Sequence, residues 1–491
     1  MIRSYNFKKL FLPPLHYRNT MTLIKSISGI RGTIGGSGEG LTPTEIVKYA
    51  SAYGTWVKRN QKGKEGKKPK VVIGRDARIS GPFVRDIITG TLQALGINVV
   101  DIGLATTPTT ELAVTGEKAD GGIIITASHN PKNWNALKLL NSRGEFISEA
   151  DGKDVLAIAN KGEYEFAQVG AIGEVTKDDT YAQKHIDMIL KLPLVDVKAI
   201  KAKKFKVVID AVNSVGGIVV PQLLQQLGVE TVFPIFCEPT GNFSHEAEPL
   251  PENLSELSKT VSKKGAHLGL AVDPDVDRLA IVCDDGEMFG EEYTLVAVAD
   301  YVLKNKKGNT VSNLSSTQAL KVVTEKAGCS YFASAVGEVN VVEAMKKNSA
   351  VIGGEGNGGI IYPELHYGRD ALVGIALFLT HLANFGKSCS LLRSTYPSYY
   401  ISKNKIELRP DLDIDKVLKD IKEKYKKFPT NTIDGLKIEF DGDWVHLRRS
   451  NTEPIIRIIA ESAHQTTADN LANKLIQDIG EVMKQKQAVA H

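Results

Sequence analysis

A repeated unit of strand, loop, helix and glycine constrains the fold of this chain more than any other feature of its sequence. The first copy, residues 70–97, has an apolar strand, then Asp76, then a helix that ends in Leu-Gly-Ile. The second copy, residues 206–229, repeats this order with Asp210 after the strand and Leu-Gly-Val after the helix. A fainter third copy occupies residues 310–328. Such repetition predicts that similar α/β domains were duplicated along the chain.

The length of the chain, 491 residues, is sufficient for three or four domains of about 100–200 residues each. Beyond residue 396 the sequence pattern changes to that of short strands, a hairpin turn at residues 441–442 and a long terminal helix, which predicts an α+β domain. We place the first boundary in the polar, weakly patterned stretch 153–179. The predicted segments are a disordered arm or upstream start at 1–20, then domains at 21–165, 175–290, 291–396 and 397–491.

Charge and cysteine content exclude several classes of protein. A net charge of +4, from 61 basic and 57 acidic residues, is too balanced to indicate nucleic-acid binding. The four cysteines lie far apart, without the Cys-x-x-Cys spacing of a zinc ribbon, and favour a reducing, cytoplasmic compartment. Without an apolar run of about 18 residues, no membrane-spanning segment is predicted.

The hexapeptide TASHNP, residues 126–131, follows the apolar run 121–125, which is typical of a buried strand. Pro131 ends that strand, so Ser128 and His129 are predicted to lie in a turn at its carboxyl end, where open α/β sheets carry their chemistry. The same residues could simply form a turn that closes the strand. Because neighbouring side chains tend to diverge and no G-x-S-x-G motif is present, a Ser-His-Asp hydrolase is disfavoured. His129 or Lys138 could instead handle protons for a phosphorylated serine.

The motif DPDVDR, residues 273–278, follows the apolar strand 268–272. Asp273, Asp275 and Asp277 stand at alternate positions around a turn and could converge on one hard cation such as Mg²⁺ or Ca²⁺. The positions that need Gly and Glu in an EF-hand loop hold other residues here. A solvated acidic turn is the alternative to a metal site.

Three further stretches carry polar side chains in turns. The motif GEGNGG at residues 354–359 is followed by another strand rather than a helix, so it is not a dinucleotide loop and could bind sugar hydroxyls or form a plain hairpin. The motif RRSNTEP, residues 448–454, combines a guanidinium, hydroxyls and turn amides that suit phosphate, or it forms a polar hairpin. Arg31, which glycines flank, is predicted to lie in a loop as a phosphate clamp or as a surface charge.

Together, in this order and spacing, these motifs resemble those of the α-D-phosphohexomutase superfamily from about residue 21 to the end of the chain. The resemblance implies an α/β fold in which three related α/β domains surround a central cleft. A fourth, C-terminal α+β domain is implied to be TATA-binding-protein-like. Within the superfamily, the third and fourth motifs are most similar to those of archaeal-type phosphoglucosamine mutases, and Asn357 stands where members often have Ser.

The resemblance also implies a role for each candidate residue. Ser128 would be the phosphoserine, and Asp273, Asp275, Asp277 and a phosphoserine oxygen would hold Mg²⁺. The reacting centre would be lined by Arg31, His129, Lys138 and Arg278, with Lys138 transferring protons. Sugar hydroxyls would be bound by the Gly-rich loop, through Glu355, Asn357 and Gly358. The phosphate that does not react would be bound by the fourth loop, through Arg448, Ser450, Asn451 and Thr452.

The expected activity is phosphate transfer between Ser128 and a hexose phosphate through a bound hexose 1,6-bisphosphate. Glucosamine 6-phosphate is the first choice of substrate, and mannose or glucose phosphate is the second. Two alternatives from other classes are a metal-dependent sugar phosphatase and a catalytically silent sugar-phosphate-binding protein. We expect a monomer or homodimer whose partner is the phosphorylated hexose, without nucleic acid or membrane.

Overall fold

The structure is a computed structural model of the chain. It describes residues 22–26, 29–36, 39–61, 66–407, 414–449 and 455–489, with side chains as far as residue 483. The predicted arm at residues 1–20 lies outside the described residues. In the described part of the chain, no helix combines the length and the apolar character needed to cross a membrane.

The first domain is built on a seven-stranded sheet with the strand order β1-β2-β6-β5-β3-β4-β7. Its strands are β1 (Ile24–Ser26), β2 (Gly29–Thr33), β3 (Lys70–Arg75), β4 (Asn98–Leu104), β5 (Gly121–Ile125), β6 (Trp134–Leu140) and β7 (Val175–Lys177). Its helices are α1 (Pro43–Asn60), α2 (Gly81–Ala94), α3 (Thr107–Gly116) and α4 (Glu149–Lys161).

The structure corrects one sequence expectation for this domain and gives the elements of a stretch that the sequence left unassigned. Arg31 lies in strand β2, paired with Ala136 of β6, rather than in a loop. The stretch 153–179, which lacks a clear pattern, contributes most of α4, whose start is secured by a capping box between Ser148 and Asp151. The same stretch contributes β7, which pairs in parallel with β4 and so joins the first sheet, while the domain bounds themselves stay a prediction.

The second domain comprises a four-stranded sheet and four helices. These elements are α5 (Tyr181–Leu190), α6 (Val197–Ala202), β8 (Lys206–Asp210), α7 (Gly216–Gln226), β9 (Thr231–Ile235), α8 (Ser255–Lys264), β10 (Leu268–Val272) and β11 (Leu279–Cys283). The third domain also has a four-stranded sheet. Its elements are α9 (Glu291–Asn305), β12 (Asn309–Asn313), α10 (Ala319–Lys326), β13 (Tyr331–Ser334), α11 (Glu338–Lys347), β14 (Ala350–Glu355), β15 (Gly359–Ile361), α12 (Ala371–Phe385) and α13 (Cys389–Ser394).

The three sheets share one topology, which confirms the duplication inferred from the sequence. In each sheet, the first strand of the repeat pairs in parallel with one strand on either side. A fourth strand then pairs antiparallel with one of those two neighbours. The resulting orders are β4-β3-β5-β6, β9-β8-β10-β11 and β13-β12-β14-β15. The antiparallel strand follows its neighbour through a short loop. Those three loops contain residues 126–133, 273–278 and 356–358, so equivalent loops of the repeats carry three of the predicted motifs.

The fourth domain has an antiparallel sheet with the order β16-β20-β19-β18-β17. Its elements are β16 (Tyr400–Glu407), α14 (Ile414–Lys424), β17 (Thr430–Asn431), β18 (Leu436–Glu439), β19 (Trp444–Arg449), β20 (Ile455–Ser462) and α15 (Gln465–Val489). This confirms the predicted change to an α+β domain, which has a hydrophobic core of its own.

The second and third domains share one continuous hydrophobic core. Helix α12 is buried around nearly its whole circumference, as expected for a helix that is apolar on all faces. Strand β11, which follows the loop 273–278, and the β14–β15 hairpin both pack against α12. This helix therefore holds the acidic loop and the Gly-rich loop in fixed positions. Rigid support of this kind is what a precisely arranged site requires.

Candidate active site

Ser128 lies in the loop between β5 and β6, with a backbone φ of 48° that non-glycine residues rarely adopt. The Thr126 hydroxyl supports this turn by accepting a hydrogen bond from the Ser128 N–H at 3.0 Å. The Ser128 side chain is buried, and its Oγ donates to Asp273 Oδ2 at 2.9 Å. The serine hydroxyl of the first domain is therefore in direct contact with the acidic loop of the second.

The three aspartates of the second loop converge. Asp273, Asp275 and Asp277 are fully buried, and one carboxylate oxygen of each lies within 4.8 Å of the others. The loop turns at Val276, whose φ of 63° is unusual for a β-branched residue and brings the flanking carboxylates to the same side. Backbone N–H groups of Asp277 and Arg278 donate to Asp273 Oδ1, at 3.1 and 3.2 Å.

Two cations reach this acidic cluster from the other α/β domains. Lys138 Nζ donates to Asp275 Oδ2 at 2.6 Å, and Arg369 Nη2 donates to Asp277 Oδ2 at 2.7 Å. In the described part of the chain, the buried Oδ1 atoms of Asp275 and Asp277 accept no hydrogen bond. Leaving such atoms without a partner is costly, and oxygen ligands on a buried anionic loop suit a hard divalent cation. The residues present therefore fit a Mg²⁺ site, with the Ser128 hydroxyl beside it.

The local charges set the protonation of this cluster. Burial, followed by the neighbouring carboxylates of Asp277 and Asp275, raises the pKa of Asp273 well above its usual value. Burial would also raise the pKa of Asp275, but the ammonium of Lys138 outweighs it and lowers that pKa. Burial would lower the pKa of Lys138, yet Asp275 and Asp277 raise it instead. Lys138 is therefore a charged ammonium, held in that form by the two carboxylates.

His129 contacts Ser128 and Arg278 through the same ring nitrogen. Its Nδ1 lies 3.4 Å from Ser128 Oγ, so the predicted divergence of these neighbouring side chains is wrong; the turn at Ser128 places both on one side. Nδ1 also accepts from Arg278 Nη2 at 3.0 Å. Burial and then the charge of Arg278 lower the pKa of His129 to about 2. The imidazole is neutral and acts here as an acceptor.

Arg31 and Arg278 add positive charge to the same region. Burial lowers the pKa of Arg31, and the nearby carboxylate of Asp275 opposes that shift. Arg278 also forms an ion pair with Glu248, between Nη1 and Oε1 at 3.1 Å. Guanidinium groups beside a serine hydroxyl provide the charge complement that a phosphoryl group needs.

The Gly-rich motif forms the β14–β15 hairpin and docks on the metal-loop strand. Gly358 has a φ of 83°, and a Cβ there would lie 2.4 Å from the Leu279 carbonyl, so only glycine fits. The Gly358 carbonyl accepts from the Leu279 N–H at 3.1 Å. Asn357 Oδ1 accepts from the Gly359 N–H at 3.2 Å. The hairpin turn thus packs directly against the first residue of β11.

Glu355 is buried and already has polar partners in its own domain. It forms an ion pair with Arg369 at 2.9 Å and accepts from Asn313 Nδ2 at 2.9 Å and from the Gly337 N–H at 3.1 Å. Arg369 also pairs with Glu338 at 3.0 Å, so one guanidinium connects Glu355 to the metal loop. A sugar hydroxyl that approaches Glu355 would share the carboxylate with these donors.

Arg448 lies at the end of β19, next to the predicted phosphate loop. Its Nε donates to Asp434 Oδ2 at 2.7 Å, and that carboxylate also accepts from the Val336 N–H of the third domain at 3.0 Å. Asp434 therefore ties the base of the fourth-domain loop to the third domain. Ser450, Asn451 and Thr452 lie outside the described residues.

Sequence reasoning missed several buried charged residues near the reacting loops. Arg369 connects the third domain to Asp277 of the second, Glu338 pairs with Arg369, and Arg78 lies behind the Ser128 loop. The pattern Asp-x-Arg at residues 76–78, directly after a buried strand, was the available signal for Arg78. Arg369 had no comparable signal, because its three carboxylate partners come from separate parts of the chain.

A second group of buried titratable residues joins the three α/β domains. His366 lies 3.2 Å from Glu111 of α3 and 3.3 Å from Asp370, which also contacts His185 of α5 at 2.9 Å. Burial alone would lower the pKa of His366, but Asp370 and Glu111 raise it to about 10. Burial raises the pKa of Glu111 to about 8.

These shifts predict a loss of stability in alkaline solution. A histidine whose pKa is raised in the folded state stabilises the fold fully below its unfolded pKa of about 6.5, and that contribution is lost as pH rises through about 10. We expect the stability advantage of the wild type over His366→Gln to shrink by about 2 kcal/mol between pH 8 and 10. Thermal unfolding at several pH values measures it.

The window runs from the pKa of Glu111, about 8, to that of His366, about 10, so the loss toward its upper end reports on His366. The buried His381 is the matched control, because burial lowers its pKa to about 4 and it stays neutral between pH 8 and 10. His381→Gln should therefore lose stability equally at every pH in the window. A wild-type advantage over His366→Gln that stays constant up to pH 10 would contradict the prediction.

Comparison with known proteins defines the class that this fold and site represent. Four models of the phosphoglucomutase/phosphomannomutase family match consecutive parts of the chain: α/β/α domain I at residues 23–166, domain II at 183–286, domain III at 290–399 and the C-terminal domain at 407–477. The chain resembles a crystal structure of a family protein from Burkholderia thailandensis, with a TM-score of 0.81 and 25% identity, covering 94% of this chain and 97% of that one.

Curated relatives agree over nearly the whole length. A phosphoglucomutase/phosphomannomutase from Thermococcus kodakarensis is 35% identical over 93% of this chain and 98% of its own. A probable phosphoglucosamine mutase from Methanopyrus kandleri is 32% identical over 91% of this chain and 96% of its own. The chain belongs to the phosphoglucomutase/phosphomannomutase family, and it is a phosphohexomutase. The predicted resemblance is thereby confirmed.

Proposed function

We propose that this phosphohexomutase interconverts glucosamine 6-phosphate and glucosamine 1-phosphate through a phosphoserine at Ser128. The observation that carries the proposal is the contact of Ser128 Oγ with Asp273 at 2.9 Å, inside a cluster of three buried carboxylates. A serine hydroxyl needs a cation beside it to carry a phosphoryl group, and this cluster supplies the ligands for one. The names of relatives such as the Methanopyrus kandleri protein support glucosamine phosphate as the substrate.

The carboxylates of Asp273, Asp275 and Asp277, with an oxygen on Ser128, would hold Mg²⁺. When bound, Mg²⁺ would neutralise charge on the transferring phosphoryl group. Arg278 and Arg31 would add positive charge from the protein itself. Ion pairs from Lys138 and Arg369 hold two of the carboxylates in place at their Oδ2 atoms and leave the Oδ1 atoms available.

In the first transfer, the P–O bond at Ser128 Oγ breaks and a P–O bond forms to a free hydroxyl of the sugar phosphate. The proton of that hydroxyl is released as the new bond forms, and Ser128 Oγ recovers a proton as it leaves. Lys138, as a buried ammonium, is our candidate for the group that gives a proton to Ser128 Oγ and, as the neutral amine so formed, takes up the proton that the sugar hydroxyl releases. The resulting hexose 1,6-bisphosphate then reverses its orientation in the site and returns its other phosphate to Ser128 by the reverse step.

One site must therefore bind the sugar in two orientations. Glu355 and Asn357 in the hairpin, with the Gly358 backbone, would contact sugar hydroxyls that both orientations present. Arg448, with Ser450, Asn451 and Thr452, would hold whichever phosphate is not reacting. Asp434 keeps Arg448 next to the third domain. The distance between the proposed phosphate-binding loop and the hairpin would therefore be the same for both orientations of the sugar.

The second candidate function is phosphomannomutase or phosphoglucomutase activity. It is favoured by the 35% identical Thermococcus kodakarensis relative, which carries that name. Both candidates use the same serine, metal loop and phosphate loop, and they differ only in the sugar hydroxyls that the hairpin accepts. We further propose a cytoplasmic location, because all four cysteines are free thiols. A monomer or homodimer remains a prediction.

Phosphorus NMR of the purified protein with Mg²⁺ and a trace of hexose 1,6-bisphosphate tests the choice of substrate. Glucosamine 6-phosphate, mannose 6-phosphate and glucose 6-phosphate are offered separately. We expect kcat/KM to be about 10-fold or more higher for the glucosamine ester, since one misplaced or missing hydrogen bond in a site costs at least this factor. Faster conversion of either other ester would establish the second candidate. Release of inorganic phosphate without an isomer would identify a phosphatase and contradict both.

A further inference from the structure

The three α/β repeats share a structural feature at the carboxyl end of their first central strand. An acidic or amide side chain stands at this position in each repeat: Asp76 directly after β3, Asp210 as the last residue of β8 and Asn313 as the last residue of β12. In each, the side-chain Oδ1 accepts a hydrogen bond from the backbone N–H two residues later, at 2.9, 3.0 and 3.0 Å. The same local turn therefore recurs in all three repeats.

The second partner of this position differs between the repeats. In the second, Asp210 pairs with His245 at 3.0 Å, and the other ring nitrogen of His245 contacts the Glu246 carbonyl. In the third, the Asn313 amide donates to Glu355. In the first, Asp76 Oδ2 pairs with Arg78 Nε at 3.0 Å. Of these three partners, Arg78 is the one that extends to the loop that carries Ser128.

Arg78 is fully buried and directs its guanidinium at the backbone of the Ser128 loop. Nη2 donates to the carbonyls of Ser128 and Asn130, at 2.6 and 2.7 Å. Nη1 donates to the carbonyls of Pro131 and Trp134, at 2.7 and 2.9 Å. One side chain thus satisfies three carbonyls of the loop and the first carbonyl of β6. Asp76 neutralises its charge and also accepts from the Thr126 hydroxyl at 2.7 Å.

The turn that carries Arg78 also touches the second domain. The Phe243 ring lies over the guanidinium at 5.1 Å, a cation–π distance. The Ala77 N–H donates to Ser214 Oγ at 3.3 Å, and that hydroxyl donates to the carbonyl of Pro274 in the metal loop at 2.7 Å. The turn that carries Arg78 therefore contacts the Ser128 loop through the guanidinium and the metal loop through Ala77 and Ser214.

We infer that Arg78 is a positioning residue that holds Ser128 in its left-handed turn against the metal loop. The inference rests on the proposed phosphoserine role of Ser128. A residue with φ of 48° stays in that conformation only when its surroundings impose it, and the four carbonyl contacts of Arg78 do so. With fewer contacts, the loop would relax and move the reacting oxygen, and an error of about 1 Å costs about 100-fold in rate.

The test replaces Arg78 with lysine, which keeps the charge for Asp76 but offers three donors at one atom in place of five on a plane. We expect kcat for mutase turnover to fall between about 10- and 100-fold, with KM for the hexose phosphate changed less than about threefold. We also expect phosphoserine at Ser128, followed by intact-protein mass spectrometry, to hydrolyse about 10-fold faster, because a displaced loop admits water.

The matched control is His245→Gln, which changes the side chain that pairs with Asp210 in the second repeat. It should lower the melting temperature and leave kcat and the phosphoserine lifetime of the folded protein unchanged.

If Arg78→Lys does not fold, Phe243→Leu removes the ring that packs on the guanidinium and keeps all of its hydrogen bonds. This variant should lower kcat about threefold, again at constant KM. Folded Arg78→Lys or Phe243→Leu protein with wild-type kcat and phosphoserine lifetime would overturn the inference. Wild-type protein that never carries phosphate on Ser128 would instead overturn the proposed function on which it rests.

Discussion

Replacing Ser128 with alanine is expected to reduce mutase turnover by at least about 10³-fold, since it removes the atom that carries the phosphoryl group. The remaining site would still bind sugar phosphate, because Arg448 and the Gly-rich hairpin lie in other domains. The fold should be retained: alanine at φ of 48° is no more strained than serine, and one hydrogen bond to Asp273 is lost. Steady-state kinetics and mass spectrometry of the phosphorylated protein measure both effects.

Ser312 provides a matched control for this substitution. It is a buried serine on β12 whose hydroxyl lies 3.0 Å from the Tyr331 hydroxyl. Ser312→Ala should lose roughly 1 kcal/mol of stability and keep its turnover and its phosphate. Near-normal turnover of Ser128→Ala, or phosphate incorporation in that variant, would contradict the proposed mechanism.

The second large effect is expected for Asp275→Asn, which keeps the shape of a metal-loop side chain and removes its charge. Among the described residues, Asp275 Oδ1 has no hydrogen-bond partner and is free to hold the proposed cation, while Oδ2 binds Lys138. The substitution weakens the ligand set and leaves the buried ammonium of Lys138 with one ion pair, the longer one to Asp277 at 3.4 Å. We expect kcat to fall about 10³-fold and the Mg²⁺ concentration for half-maximal activity to rise at least about 10-fold.

Titration of activity with Mg²⁺ gives both quantities in one experiment. Asp285→Asn is the control for loss of one acidic charge, because Asp285 is exposed just past β11 and contacts the Glu287 N–H. It should show the wild-type Mg²⁺ dependence. Full activity of Asp275→Asn at wild-type Mg²⁺ concentrations would place the metal elsewhere.

Much of the fold could be predicted from the chain alone. The strands at residues 121–125 and 268–272 were predicted with the bounds that the structure has. Runs of apolar, β-branched residues bounded by Gly, Pro or Asp are a local signal that needs no tertiary information. The polar stretch 153–179 could not be assigned, because α4 buries only a narrow apolar stripe and β7 exposes all three of its residues.

The candidate site was only partly accessible from the sequence. Ser128 and the three aspartates were selected because each motif follows a buried strand, and equivalent strand ends meet at one edge of a sheet. The structure brings the two motifs within hydrogen-bonding distance, although they are 145 residues apart. Arg369 and His366 were not selected, because an isolated charged residue in a loop looks the same in a sequence whether it is exposed or buried.

The sequence by itself determined the local elements, the duplication of the α/β unit and the residue types in the loops, because these depend on periodicity and on turn residues. Only the tertiary structure decided which charges face each other. It placed Lys138 and Arg369 on the acidic loop, paired Glu355 with Arg369, and set the guanidinium of Arg78 behind Ser128. The physical reason is that the energy of a buried charge depends on partners from other domains, and their distances exist only in the folded chain.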